Sequence, residues 1–264
     1  MDNQKIKTIS ILAGHDKAGN KETVERLDIS AGSIVSIVGF TGSGKSQLIG
    51  DIEQLAQGDT VSGRHILIDN APPPPEIRFN PEAKPIAQLS QNMNFILEMT
   101  VMEFLELHAE CRGRSTSPDV LEEILAGANT LAGEALKPDD VLTRLSGGQS
   151  RALMIADVAW VSDSPIILID EVENAGIDRR KALELLTGKG KIVLIVTHDP
   201  QLALLGERRV IMKNGGMDNV LERSKSERLA EEALSRQAAM FAEIQRKIRS
   251  GERVEHTMTA IMEE

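Results

Sequence analysis

The 264 residues suffice for one large α/β domain, or for one domain carrying a subdomain. A charged fraction of 27% and an apolar fraction of 41% are ordinary for a globular chain, and a net charge of −10 argues against nucleic acid as the main partner. The single cysteine, Cys111, excludes an internal disulfide and a cysteine-based metal centre and fits a reducing compartment.

The start, Met1-Asp2-Asn3-Gln4-Lys5, lacks the apolar core of a signal peptide, and no apolar run is long enough to cross a bilayer. The expected location is cytoplasmic, at most peripheral to a membrane through a partner. Residues 5–12 and 23–30 read as short strands around a polar turn from Gly14 to Lys21. Ile34 to Val38 is a short apolar strand, followed by a glycine-rich loop and a helical pattern with Leu48, Ile49, Ile52 and Leu55. Val61 to Asp69 reads as a strand that Pro72 to Pro75 ends in an extended loop, and Ile86 to Ser90 as another strand. From Met99 to about Trp160 the periodicity is helical, with breaks near 113–118 and at Pro138. Pro165 to Ile169 and Lys191 to Val196 are continuous apolar strands, as in a sheet buried on both faces. Arg209 to Lys213 reads as the last strand, after which the chain turns polar and helical.

Three segments carry chemistry. Gly39-Phe40-Thr41-Gly42-Ser43-Gly44-Lys45-Ser46 fits GxxxxGK[ST] between a strand and a helix. Its glycines let the backbone wrap a phosphate, the following helix adds partial positive charge, Lys45 can reach the β- and γ-phosphates, and Ser46 can ligate Mg²⁺. Ile166 to Ile169 runs into Asp170 and Glu171, two acids at the ligand-binding edge of an α/β sheet. Asp170 would hold Mg²⁺, and Glu171 would polarise the attacking water as general base. The third segment is Leu145-Ser146-Gly147-Gly148-Gln149, where Ser146 is a good helix N-cap and the glycines expose amide hydrogens. Ala152, Leu153, Ile155 and Ala156 continue a helix behind it, which makes a second anion-binding helix terminus far from the first in sequence.

In order and spacing these segments resemble the nucleotide-binding subunit of the ATP-binding cassette (ABC) family over nearly all of residues 1–215. Gly39–Ser46 is similar to its Walker A loop, Leu145–Gln149 to its signature, and Ile166–Asp170 with Glu171 to its Walker B. The resemblance implies a P-loop NTPase of ABC type: a parallel-sheet core, a small antiparallel β subdomain, and a helical subdomain over about residues 92–160. It also implies ATP and Mg²⁺ as cofactors, and a second ABC subunit whose signature, Ser146 to Gln149, meets the ATP on the first subunit's Walker A. By the same resemblance Gln91 matches the Q-loop glutamine at Mg²⁺ or the water, His198 the switch histidine at the γ-phosphate, and Asp178 the D-loop acid that couples the two sites.

Several residues depart from the family pattern. No aromatic residue stands in the first strand region to stack adenine, and His15 is the nearest planar candidate. Val172-Glu173 replaces the common Pro-Thr, the D-loop is one residue longer, and Asp157 stands where Arg is frequent. Cys111 reads as a small packed residue in a helix, and Arg179-Arg180-Lys181 as a solvated helix start.

Residues 1–216 therefore read as the nucleotide-binding domain and 217–264 as a C-terminal helical extension. In the extension, Ala230, Leu234, Gln237, Phe241, Ile244 and Ile248 form an a/d seam ended by Ser250-Gly251. That helix can dock on its own domain or serve as a dimerisation or partner-binding helix. The expected activity is Mg²⁺-dependent hydrolysis of ATP. Its expected use is to drive a separate membrane subunit of a transporter; the alternative is a soluble client protein that the ATPase remodels, loads or reactivates.

Overall fold

The computed structural model describes residues 6–80, 83–90, 95–170 and 177–254. The chain separates into two compact units, Met1–Glu222 and Arg223–Glu264. The first holds two sheets. Strands β1 (Thr8–Leu12), β2 (Arg26–Ser30) and β4 (His65–Ile68) make an antiparallel sheet in the order β2-β1-β4. Strands β3 (Ile34–Val38), β5 (Ile86–Leu89), β6 (Ile166–Asp170), β7 (Ile192–Val196), β8 (Arg208–Lys213) and β9 (Gly216–Glu222) make a second sheet in the order β5-β6-β7-β3-β8-β9. Neighbours from β5 to β8 are parallel, and only β9 runs antiparallel.

The continuous apolar runs in β6 and β7 have a direct cause, because both faces of the parallel sheet are covered. Ile166, Leu168, Ile192 and Leu194 point to the core shared with β1, β2 and helix α1 (Lys45–Glu53). Ile167, Ile169, Val193 and Ile195 point into the opposite core, which holds α3 (Val101–Cys111), α4 (Pro118–Leu131), α5 (Gly147–Trp160), α6 (Arg179–Gly188) and α7 (Pro200–Leu205). Alternate residues of one strand thus build two cores.

The helical stretch breaks where local chemistry demands it. Thr100 caps α3 in a reciprocal box with Glu103: its hydroxyl accepts from the Glu103 amide, and the Glu103 carboxylate accepts from the Thr100 amide. Pro118 opens α4 at the first helical position, where a missing N–H costs nothing. A 3₁₀ turn at Leu142–Arg144 leads into α5.

Four expectations are corrected. The strand foreseen over Val61 to Asp69 narrows to β4, with Val61 in an exposed turn. The proline run ends in a short helix, α2 (Pro75–Phe79), rather than in a loop alone, because Pro74 is extended and Pro75 has the backbone angle a helix start needs. Cys111 is exposed at the end of α3, not packed. After β8 the chain does not turn helical at once: Asn214 and Gly215, with φ of 49° and 91°, turn it back into β9. An Asn-Gly pair between strands is the composition of a type I′ hairpin, so this strand had a local signal.

The second unit contains α8 (Lys225–Ser250), capped by Ser224 in a box with Glu227 and ended by Gly251 at φ 76°. Every seam residue from Ala230 to Ile248 falls within it, and Phe241 and Ile248 are exposed.

Candidate functional site

The order β6-β7-β3 puts the chemically distinctive residues along one edge. Val196 on β7 is the partner of Asp170 on one side and of Ile37 on the other. The loop from Gly39 and the residue His198 therefore leave the sheet within two residues of the row that ends in Asp170. This is the C-terminal edge of a parallel sheet, where α/β proteins place ligands.

The glycine-rich loop closes on itself. The Lys45 ammonium donates to the carbonyls of Gly39 (2.8 Å) and Phe40 (3.3 Å), and the Ser43 amide donates to Phe40 O (3.0 Å). Lys45 is buried, so its charge is held inside the loop. The Phe40 ring, by contrast, is 91% exposed; this residue serves the loop through its backbone. Gly44 caps α1 with φ 103°, a left-handed conformation that costs glycine little. Ser46 opens the first turn of α1 on the exposed side, with Thr41 and Gly42 also exposed. The loop fits a phosphate chain: the Ser43 hydroxyl is buried without a hydrogen-bond partner, and a Cβ at Gly39 would come within 2.5 Å of it.

Asp170 ends β6, half-buried, and His198 is exposed beyond β7. Gln91 and Glu171 lie outside the described residues, as do Val172 to Gly176. Among the described residues no three His, Cys, Asp or Glu cluster as a metal cage. Mg²⁺ at phosphate sites needs no such cage, since one or two carboxylates and the phosphates hold it.

At the second helix terminus expected to bind an anion, Ser146 caps α5 as its residue type foretells. Its hydroxyl accepts from the Gln149 amide (3.3 Å), and its own amide donates to Gln149 Oε1 (3.0 Å). Ser146 and Gly147 are exposed, so this helix terminus, with Gly147 and Gly148 in its first turn, faces solvent. Gln149 also donates to Ala135 O (3.3 Å), which ties the turn to the segment after α4.

Asp178 is the N-cap of α6, with its carboxylate accepting from the Lys181 amide (3.1 Å). Arg179 is not simply solvated: it pairs with Asp199 at 2.7 Å, half-buried. Burial alone would raise the Asp199 pKa, yet the Leu202 and Gln201 amides and the Arg179 guanidinium hold it below the usual carboxylate range. Asp157, unusual after a signature, is buried and meets His108 Nδ1 at 2.5 Å, joining α5 to α3. His15, the planar candidate for adenine, is exposed and bridges to Lys21.

Sequence reasoning did not foresee the buried ionic knot behind the loop, where Arg64 is flanked by Glu22 (2.5 Å) and Asp51 (2.6 Å). Only Asp51, polar on the apolar side of the α1 pattern, carried a hint of it.

The sequence family described as ABC transporter matches residues 24–174. An uncharacterized ABC transporter ATP-binding protein of Methanocaldococcus jannaschii is 52% identical over 257 residues, covering 97% of this chain and 98% of that protein. The chain belongs to the ABC transporter family. It is an ATP-binding cassette ATPase, and the α/β fold with a mostly parallel sheet, a small antiparallel sheet and a helical region is the one the motifs implied. The macrolide export ATP-binding/permease protein MacB 1/2 of Paracoccus denitrificans is 32% identical over 205 residues; the match covers 72% of this chain but only 29% of that protein. Among solved structures, a dimeric ATP-binding cassette in a post-hydrolysis state bound to ADP and Pi superposes with a TM-score of 0.59 at 25% identity, covering 82% of this chain and 99% of that one. Among the described residues no helix of the cassette is long and apolar enough to cross a membrane.

Proposed function

We propose that two copies of the cassette close around ATP, hydrolyse it, and transmit the opening and closing to a separate membrane subunit. The observation that supports this reading is that one chain holds two glycine-flanked helix N-termini, at Lys45 and at Gly147, of the kind that suits an anion. The neighbour that is dimeric with ADP and Pi supports the pairing. The permease joined to the ATP-binding part in the name of MacB supports the membrane partner.

In this reading Gly39 to Ser46 bind the phosphates, with Lys45 at the β- and γ-phosphates. The residues suited to Mg²⁺ are Ser46 and Asp170, joined by Gln91; the ion would neutralise phosphate charge. Glu171 takes a proton from the attacking water, and His198 faces the γ-phosphate from the end of β7. Ser146, Gly147, Gly148 and Gln149 contact the ATP of the partner copy, and Asp178 links the two sites.

In this reading residues 1–216 are the nucleotide-binding domain and 217–264 the extension; they fall close to the two compact units, Met1–Glu222 and Arg223–Glu264. The decisive experiment measures ATP turnover and size in solution for the wild type and Glu171→Gln. The variant should keep ATP, lose turnover and accumulate as a dimer; turnover at the wild-type rate would remove Glu171 from the role of base. Affinity purification from membranes should recover an integral membrane protein, whereas a soluble enzyme in its place would point to the client-remodelling alternative.

A further inference from the structure

The buried ionic knot lies directly behind the phosphate loop. Arg64 is fully buried. Its guanidinium donates to Glu22 Oε1 (2.5 Å), to Asp51 Oδ2 (2.6 Å) and to the carbonyl of Gly215 (2.8 Å). The remaining acceptor capacity is used. Glu22 accepts from the amides of Gly14 (2.8 Å) and Met217 (2.5 Å), and Asp51 from Ser62 Oγ (2.7 Å) and Gln47 Nε2 (2.8 Å). One cation thus joins three parts of the cassette: Glu22 in the turn before β2, Asp51 on the helix that follows the loop, and the β8–β9 hairpin turn.

That hairpin turn touches the loop itself. The Gly215 amide donates to Ser43 O (2.8 Å), and a Cβ on Gly44 would lie 2.6 Å from the Gly215 Cα. Beside it the Lys17 ammonium donates to Gly42 O (2.7 Å), while the Lys17 amide donates to Asn214 O (2.8 Å). Two successive carbonyls of the loop are therefore held from outside the motif. Among the described residues no peptide bond is cis, and in a planar trans peptide the carbonyl and the next N–H point in opposite directions. Anchoring Ser43 O on Gly215 turns the Gly44 N–H away from the brace, free to donate to a phosphate seated in the loop.

Three buried charges are a weak source of stability, because desolvation offsets their attraction and apolar replacements often do as well. A fully bonded network does supply fixed geometry. We propose that Arg64 is a positioning residue for nucleotide binding: by tying Asp51 and Glu22 to the Gly215 turn it sets the phosphate loop in its binding conformation before ATP arrives. The inference rests on the reading that ATP occupies this loop, and it adds a requirement outside the motif.

The test uses the full chain and ATP itself. In the triple variant Glu22→Gln, Asp51→Asn, Arg64→Met the charges leave together, so none stays buried and unpaired. Its melting temperature without nucleotide should stay near the wild-type value, while the KM for ATP rises about tenfold and kcat stays within about twofold, the pattern of lost ground-state positioning. Gly215→Ala keeps all three charges but puts a methyl 2.7 Å from Lys17 Cγ and strains a residue at φ +91°, so it displaces the turn and with it Lys17, which holds Gly42 O. It should raise KM in the same way, and it decides the matter if the triple variant does not fold. Wild-type KM in a folded triple variant, or in Gly215→Ala, overturns the proposal. A wild-type chain that binds no ATP overturns the functional reading and this inference together; normal wild-type binding matched by both variants overturns the inference alone.

Discussion

Asp170 and Val196 are partners at the C-terminal edge of the parallel sheet, and Val196 partners Ile37 in turn. One β-strand therefore separates the acid from the strand that launches the phosphate loop. Parallel neighbours lie about 4.8 Å apart, so the acid stands about 10 Å from the loop strand, across a gap a phosphate–Mg²⁺ unit can span. Asp170→Asn should retain ATP binding in the absence of Mg²⁺ and lose Mg²⁺-dependent turnover by about two orders of magnitude or more. Equilibrium binding with and without Mg²⁺, beside a phosphate-release assay, checks this.

Lys45→Ala should abolish ATP binding. Lys45 is buried among loop carbonyls, so its removal takes away the internal tie to Gly39 and Phe40 and, in the proposed reading, a phosphate contact as well. Isothermal titration with ATP measures the loss, and binding of wild-type strength would rule out the placement of the phosphates at this loop.

Ser146 separates two effects. As the N-cap of α5 its hydroxyl is worth ~1 kcal/mol of stability, so Ser146→Ala should melt a few degrees lower. If Ser146 contacts the partner's ATP as proposed, Ser146→Ala should also weaken the ATP-dependent dimer of Glu171→Gln. Ser146→Asp keeps a capping side chain but adds a negative charge where the proposed reading places the partner's phosphate. It should preserve melting and still abolish the dimer, as read by light scattering.

Lys191 gives a pH signature. Its ammonium donates to the carbonyls of Ser162 (2.7 Å) and Ser164 (2.9 Å), and burial pushes its pKa down from 10.5 to about 8. The unfolded chain then binds more protons than the folded one between about pH 8 and pH 10.5, so this group makes stability rise with pH across that window. Lys191→Met should remove that contribution. Urea midpoints at pH 7.5, 8.5 and 9.5 should climb more steeply in the wild type than in the variant; parallel curves would contradict the assignment.

Asp199 gives the opposite case at low pH. Its folded pKa is depressed, so its contribution is present above the unfolded carboxylate value and is lost as pH falls through the folded one. Asp199→Asn should narrow the gap in stability between pH 6 and pH 3, seen as a smaller acid shift of the melting temperature.

The motifs were legible because each is local. Walker A needs only a strand, eight residues and a helix, and the cap at Ser146 needs only Gln149 three positions on. The strand β9 was missed although Asn214-Gly215 gave it a local signal: one face of an edge strand can meet water, so its apolar alternation is weak. The exposure of Cys111 was not legible, because it depends on where α3 stops relative to its neighbours.

By itself the sequence determined the glycine-rich loop, the acid that ends β6, the cap at Ser146 and the alternation that buries β6 and β7 on both faces. Backbone geometry, capping and hydrophobic periodicity act over a few residues, and residue type decides them. Only the tertiary structure decided that Arg64 would find Glu22, Asp51 and Gly215, that Gly44 would rest on Gly215, and that Asp170 and His198 would reach the edge where the loop begins. Those contacts join residues far apart in the chain. Sheet order and desolvation of paired charges set them, and no spacing in the sequence encodes them.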